Sequence, residues 1–308
     1  MMNQSLLTKP TAVSGPQNRT IIVAAWLSML FLSRAPQIIL QEFLGIDMSS
    51  SILQWWLGIA LCLIAGTFIW SVLRPLRGYF IVLLTVYGGT AVLDSLTSTA
   101  VWQSWFGGQT AAWAVRFFGE RLGVVLLALL VPAVLLLLGQ SRQDIFLTRG
   151  NWQASSGLRW PGRPKPLGWV VVGPAVALLL AVLFGWGLLA LSPGVQRQWP
   201  ALISLMPFVL LFAFMNAFGE EMAFRAGPLS QLWRVIGERQ AVWLTAVWFG
   251  LGHFYGGIPS GMLGAIQSGL VGFLFGMAMI KTKGIAVPVL MHLLIDTAIY
   301  VFLAMTAV

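Results

Sequence analysis

The sequence predicts an all-α polytopic transmembrane bundle of about eight to nine helices, and three observations carry that prediction. Of the 308 residues, 58% are hydrophobic and 9% are charged, a balance outside the range of soluble globular domains. Mean hydropathy is +0.85. The apolar residues fall into runs of roughly 20, the helix length that crosses a hydrocarbon core of about 30 Å. A net charge of +9 would suit a nucleic-acid partner if the basic residues shared one surface. They sit instead in connections between apolar runs, where they set orientation. The bilayer is the expected partner, and no nucleic acid is.

Residues 1–19 are polar and carry two prolines and a glycine, which reads as a disordered N-terminal tail. The run at 20–33 follows, and its long polar lead marks it as an uncleaved first span rather than a signal peptide. Its continuation to 44 holds Arg34, Gln37, Gln41 and Glu42. Clear spans come next at 53–73 and 78–98, separated by the tight turn Arg74-Pro75-Leu76-Arg77. Cys62 lies within the first of these; a single cysteine offers no disulfide framework and is expected to be a packing residue. A further span at 122–139 is preceded by an amphipathic approach with Arg116, Glu120 and Arg121. Residues 20–139 thus form a set of N-terminal transmembrane helices.

The connection 140–168 sets Arg142, Arg149, Arg159, Arg163 and Lys165 against Asp144, and its proline and glycine content opposes a long helix. It reads as a basic cytosolic loop dividing the chain. A second transmembrane domain, 169–308, carries spans at 169–191, 199–225, 241–253, 262–280 and 285–307. With the N-terminus cytosolic, the basic connections fall on the cytosolic side, as the positive-inside rule requires. Gly269, Gly272 and Gly276 in the fourth of these spans suit close helix contact.

Ionisable side chains inside such helices cost about 3 kcal/mol each on insertion scales and usually mark function. They concentrate in the second half. Gly219-Glu220-Glu221-Met222-Ala223-Phe224-Arg225 places two carboxylates and a guanidinium after an apolar run. In α-helical geometry Glu221 and Arg225, at i and i+4, share a face while Glu220 points about 100° away. Glu221 and Arg225 therefore read as a buried ion pair, and Glu220 as the carboxylate left to handle a proton. Phe249 and His253 are likewise at i and i+4, so the phenyl ring can fix the imidazole. His292 and Asp296 repeat the spacing in the last helix, and these two histidines are the only ones in the chain.

This ordered set resembles the motifs of the CPBP family of intramembrane proteases, which includes type II CAAX prenyl endopeptidases and bacterial proteins of bacteriocin processing and self-immunity. The resemblance covers residues 169–308, about half of the chain. It implies that Glu220 and His253 activate the attacking water, that Glu221, Arg225 and Phe249 support them, and that His292 with the residue at 296 stabilises the oxyanion. Many relatives carry Asn at that last position. An ionised Asp296 cannot donate a hydrogen bond, so it must be protonated, hold His292, or bind metal.

The chemistry agrees with the resemblance. Peptide hydrolysis needs a base for water and donors aimed at the developing oxyanion. With no Gly-x-Ser-x-Gly elbow near the histidines and Cys62 in the other half, a covalent acyl-enzyme is disfavoured. Glu220, His253, His292 and Asp296 could also form a two-His, two-carboxylate zinc site, the metalloprotease alternative. A metal-free glutamate mechanism is preferred, so no cofactor is expected. The expected substrate is a membrane protein or peptide, with or without a lipid. The expected setting is a prokaryotic plasma membrane, with Glu220, His253 and His292 meeting in one cavity open to the cytosol. A proton-coupled transporter and a non-catalytic scaffold or immunity protein are the other readings.

Overall fold

With no water to satisfy them, the backbone polar groups of long apolar runs must pair within their own segment, which makes such runs helical. The computed structural model describes residues 16–107, 112–192, 194 and 199–307. The predicted disordered tail lies outside them up to residue 15. Helix α1 (Pro16–Phe31) is followed by α2 (Ala35–Ile38), which runs into a π-helical turn at Ile39–Phe43. Then come α3 (Ile52–Ile69), α4 (Arg77–Thr97), α5 (Ala100–Trp102) and α6 (Trp113–Leu137). The second half supplies α7 (Trp169–Leu191), α8 (Trp199–Glu220), a π turn (Glu221–Ala226), α9 (Gly227–Leu232), α10 (Glu238–Gly256), α11 (Gly261–Thr282) and α12 (Ala286–Thr306).

The chain is an all-α polytopic membrane protein. Among the described residues, seven helices are long and apolar enough to cross a membrane, or eight if the bent pair Arg19–Phe31 and Ala35–Phe43 counts as one span. Helix α10 is not among the seven, although the sequence reading counted it; Glu238, Arg239, Gln240 and Thr245 dilute its apolar character. Cys62 is exposed, so its expected packing role is corrected: an apolar thiol facing hydrocarbon needs no burial. The same reasoning accounts for Trp186 at 71% and Ile203 at 81% exposure.

The chain divides into two compact units. The first comprises Met1–Val92, Leu130–Leu147 and Met222–Met277. In it, the 54° bend after α1 is pinned by Trp56, whose Nε1 donates to the Ser33 carbonyl at 3.0 Å and whose ring stacks on Tyr87 at 4.8 Å. Tyr87 donates to the Leu32 carbonyl. Carbonyls released from the helix ladder by the bend thus gain partners. Trp26 Nε1 donates to Gln240 at 2.9 Å, tying α1 to α10. Helices α10 and α11 meet at glycines: a Cβ on Gly250 would overlap the Ala265 carbonyl oxygen and lie 3.0 Å from Gly269 Cα.

The second unit comprises Leu93–Leu129, Thr148–Glu221 and Ala278–Val308. Helix α12 packs on α7 and α8. Phe212, Val209, Tyr300 and Ala304 form its core with Trp113 and Phe117 of α6. A Cβ on Gly219 would come 2.5 Å from Val124, and one on Gly173 would come 3.1 Å from Met291 Sδ. The basic connection is folded where it enters this unit. Asn151 N–H donates to the Thr282 carbonyl at 2.7 Å and Ile285 N–H to the Thr148 carbonyl at 3.0 Å, docking it on the α11–α12 turn. Gly150, at φ +72°, has backbone of Thr282 and Gly284 within 3.0 Å of where a Cβ would stand.

Gly250→Ala should therefore separate α10 from α11 and cost about 1–3 kcal/mol by overpacking, whereas Gly58→Ala, with nothing within 4 Å, should be neutral or mildly stabilising. Unfolding midpoints of the two variants in one detergent check this; equal midpoints would refute the close contact.

Candidate active site

Helix α8 arrives at the site through an apolar face and ends in a turn that is not α-helical. The π turn at Glu221–Ala226 precedes Pro228 at the start of α9. Proline has no N–H for the carbonyl four residues back and its ring crowds that carbonyl, so the α-helical ladder must change here. Widened turns of this kind recur at functional sites. Glu221 and Arg225 both lie in this π turn, whereas their i and i+4 pairing is argued for an α-helix. The boundary between the units also falls within the motif: Glu220 and Glu221 belong to the second unit, Arg225 to the first.

In the second unit, three carboxylates converge on one imidazole. His292 Nδ1 lies 2.8 Å from Glu221 Oε1. Its Nε2 lies 3.6 Å from Glu220 Oε2 and 3.5 Å from Asp296 Oδ1. His292 and Asp296 are each 5% exposed and Glu221 is fully buried, while the Glu220 side chain keeps 18% of its surface. Glu220 is thus the carboxylate of the three that water reaches most easily. Because ionised carboxylates only accept, Nδ1 donates to Glu221.

Two residues that the sequence reading did not place in the site belong to this cluster. Asn216 Nδ2 donates to Asp296 Oδ2 at 2.9 Å, and Asn216 Oδ1 accepts from Arg121 Nη1 at 2.5 Å. Asn216 precedes Glu220 by one α-helical turn, so both project from one face. A lone amide in the apolar run of α8 was the available signal. Arg121 was visible only as part of an amphipathic approach.

The first unit holds the other predicted residues. Arg225 is fully buried, its Cζ 3.9 Å from the Phe249 ring centroid and 5.1 Å from that of Phe275, with Nε donating to the Gly272 carbonyl at 3.4 Å. A Cβ on Gly272 would stand 3.0 Å from Arg225 Nη2 and 3.1 Å from Phe249, so this glycine makes the space for the guanidinium. The His253 ring packs at a tilt of 53° against the Phe249 ring, with centroids 4.2 Å apart. Its Nδ1 is 2.9 Å from the Phe249 carbonyl. Since a carbonyl only accepts, Nδ1 carries a hydrogen and Nε2 holds the lone pair when the ring is neutral.

Among the described residues, no group of three or more His, Cys, Asp or Glu side chains is arranged to hold a metal ion. In the His292 cluster the imidazole nitrogens face carboxylate oxygens at hydrogen-bonding and ion-pairing distances, the pattern of a proton-linked network.

Arg225→Ala should empty the space between Phe249 and Phe275 at a cost of about 3 kcal/mol. Arg225→Lys should fail to restore it, since an ammonium cannot stack as a planar guanidinium does. The yield of monodisperse protein after detergent extraction reads this, and a wild-type yield for Arg225→Lys would refute the stacking account.

No curated protein and no solved structure matches the chain significantly. A family model does, the type II CAAX prenyl endopeptidase Rce1-like model, over residues 202–298. That segment runs from α8 to α12 and includes every residue of the three motifs, a narrower region than the sequence resemblance suggested. Residues 202–298 of this integral membrane protein thus match the Rce1-like model of the type II CAAX prenyl endopeptidases, and Glu220, Glu221, Arg225, Phe249, His253, His292 and Asp296 all lie within the matched segment.

Proposed function

We propose that this chain is an intramembrane endopeptidase that hydrolyses a peptide bond of a membrane-associated protein or peptide by a metal-free, glutamate-based mechanism. One observation carries the reading: within the matched domain, the partly accessible Glu220 lies beside an imidazole that two further buried carboxylates hold in place. Such an arrangement supplies a proton acceptor and an oriented N–H donor, the two functions amide hydrolysis needs.

Glu220 takes a proton from water as the water oxygen bonds to the scissile carbonyl carbon; the family resemblance gives His253 a share in activating that water. The carbonyl oxygen becomes an oxyanion, stabilised by the Nε2–H of His292. Collapse of the tetrahedral intermediate breaks the C–N bond, and the Glu220 carboxylic acid returns its proton to the departing nitrogen. An acid, an amine and the ionised Glu220 result. Glu221 holds His292 through Nδ1, Arg225 and Phe249 brace the segments carrying Glu221 and His253, and Asp296 serves as an acceptor beside His292. The family suggests substrates ending in a CAAX sequence, prenylated or not, and the positions of the basic connections suggest a prokaryotic plasma membrane with the N-terminus in the cytosol.

The reading is tested with membranes containing wild type, Glu220→Gln or His253→Ala and a quenched farnesylated CAAX peptide, alongside proteomics of the same membranes for an accumulating substrate. Glu220→Gln should reduce cleavage about 1,000-fold or more, since general base catalysis contributes 100- to 10,000-fold, without reducing the amount of folded protein. Undiminished cleavage by folded Glu220→Gln would falsify the assignment.

Metal content separates the two hydrolytic mechanisms. Purified wild type should carry well under one zinc per chain, and Asp296→Asn should keep substantial activity. Stoichiometric zinc that is lost together with activity in Asp296→Asn would support the metalloprotease instead.

A further inference from the structure

We propose that Arg121 and Asn216 are positioning residues that fix the Asp296 carboxylate in place beside His292. The role assigned to His292 rests on the function proposed above; the contacts do not. Arg121 on α6, Asn216 on α8 and Asp296 on α12 form one chain of hydrogen bonds at 2.5 and 2.9 Å, which ends 3.5 Å from His292 Nε2. Asn216 is 7% exposed and Asp296 5%, so water competes little for these bonds and each polarises the next.

The direction of the chain follows from which groups can donate. A guanidinium has only N–H groups, so the end of Asn216 facing Arg121 must be the carbonyl. That leaves the NH2 end aimed at Asp296 Oδ2. Asp296 therefore presents an acceptor on that side, and its Oδ1 remains for His292 Nε2. Without Asn216, Asp296 would lie buried with one oxygen lacking its donor and would rotate or take up a proton. Either change alters how the His292 ring is held. Arg121 orients the amide, packs its guanidinium 5.9 Å from the Tyr300 ring centroid, and brings a positive charge toward a cluster of three carboxylates. Its side chain is 21% exposed, so it tolerates replacement better than the buried amide does.

The two histidines of the chain make the test direct. Full-length protein labelled with 15N in the imidazole rings, in detergent, should show ring resonances assignable by His253→Ala. Asn216→Leu should move the His292 resonances and leave those of His253 in place. With the quenched farnesylated peptide, kcat should fall about 100-fold with KM within about twofold of wild type, as for a misplacement of about 1 Å in a catalytic group. Arg121→Met, the variant better able to fold, should move the same resonances less and lower kcat about 10-fold. Asn216→Asp should be the least active because it opposes two carboxylates. Asn216→Asp with Asp296→Asn restores a donor–acceptor pair in reverse and should recover most of that loss, with Arg121 then facing a carboxylate.

Wild-type His292 resonances and wild-type kcat in both Arg121→Met and Asn216→Leu overturn the proposal, as does a reversed pair no better than Asn216→Asp alone. If Asn216→Leu does not fold, Arg121→Met and the reversed pair decide. Failure of the hydrolase reading would appear elsewhere, as full cleavage by Glu220→Gln, and would leave the His292 resonance test intact.

Discussion

A histidine bonded to a buried glutamate within an apolar bundle is the constraint on which the second unit depends. Each ionisable group taken out of water must recover its solvation from neighbours. Around His292 this recovery is collective: Glu221 at Nδ1, Glu220 and Asp296 facing Nε2, then Asn216 and Arg121 behind Asp296. Such a cluster forms only where helices approach closely. The absence of a side chain at Gly219, against Val124, and at Gly173, against Met291, keeps α8 near α6 and α7 near α12. Packing and polarity are therefore one requirement here: a bulkier residue at either glycine would lengthen bonds that have no solvent to replace them.

The first unit solves the burial of a cation differently. Arg225 lies over Phe249 and beside Phe275 and donates to a backbone carbonyl. A guanidinium suits this because it is planar and weakly hydrated, and ring faces attract cations most when water is excluded. Phe249 thus has two duties. Its ring supports Arg225 and packs at a tilt against His253, while its carbonyl sets the tautomer of His253. A contact read in the sequence as a simple aromatic support for histidine proves also to be part of the seat of an arginine.

Much of this was legible in the residues because the membrane limits the options. Long apolar runs can only be helices, so α7, α11 and α12 lie close to where hydropathy placed them. The motif residues stood out because charge is scarce in such runs. Two features were not legible. The π turn at Glu221–Ala226 depends on Pro228 and on packing of the widened turn, as in Phe224 against Trp248 at 4.9 Å, and an i, i+4 argument presumes α-helical geometry throughout. Asn216 was missed because an amide carries no net charge and draws no notice until its neighbours are known. The partner that gives it meaning, Asp296, is 80 residues away in the chain.

The site's charge inventory bears on why a carboxylate rather than an amide stands at 296. Three carboxylates face one imidazole, and one of them, Asp296, is joined to the Arg121 guanidinium through Asn216. Asp296 places beside Nε2 of His292 a carboxylate where an amide would bring no charge. On the proposed mechanism the first chemical step moves a proton from water to Glu220 as the oxyanion forms beside His292, so one negative charge passes from the carboxylate to the substrate oxygen. An amide at 296 would take one negative charge away from Nε2 of His292. The aspartate thus acts on the same imidazole nitrogen that the proposed mechanism turns toward the oxyanion. Asn216 makes such a residue tolerable in an apolar helix, because it supplies at Asp296 Oδ2 the donor that solvent would otherwise provide.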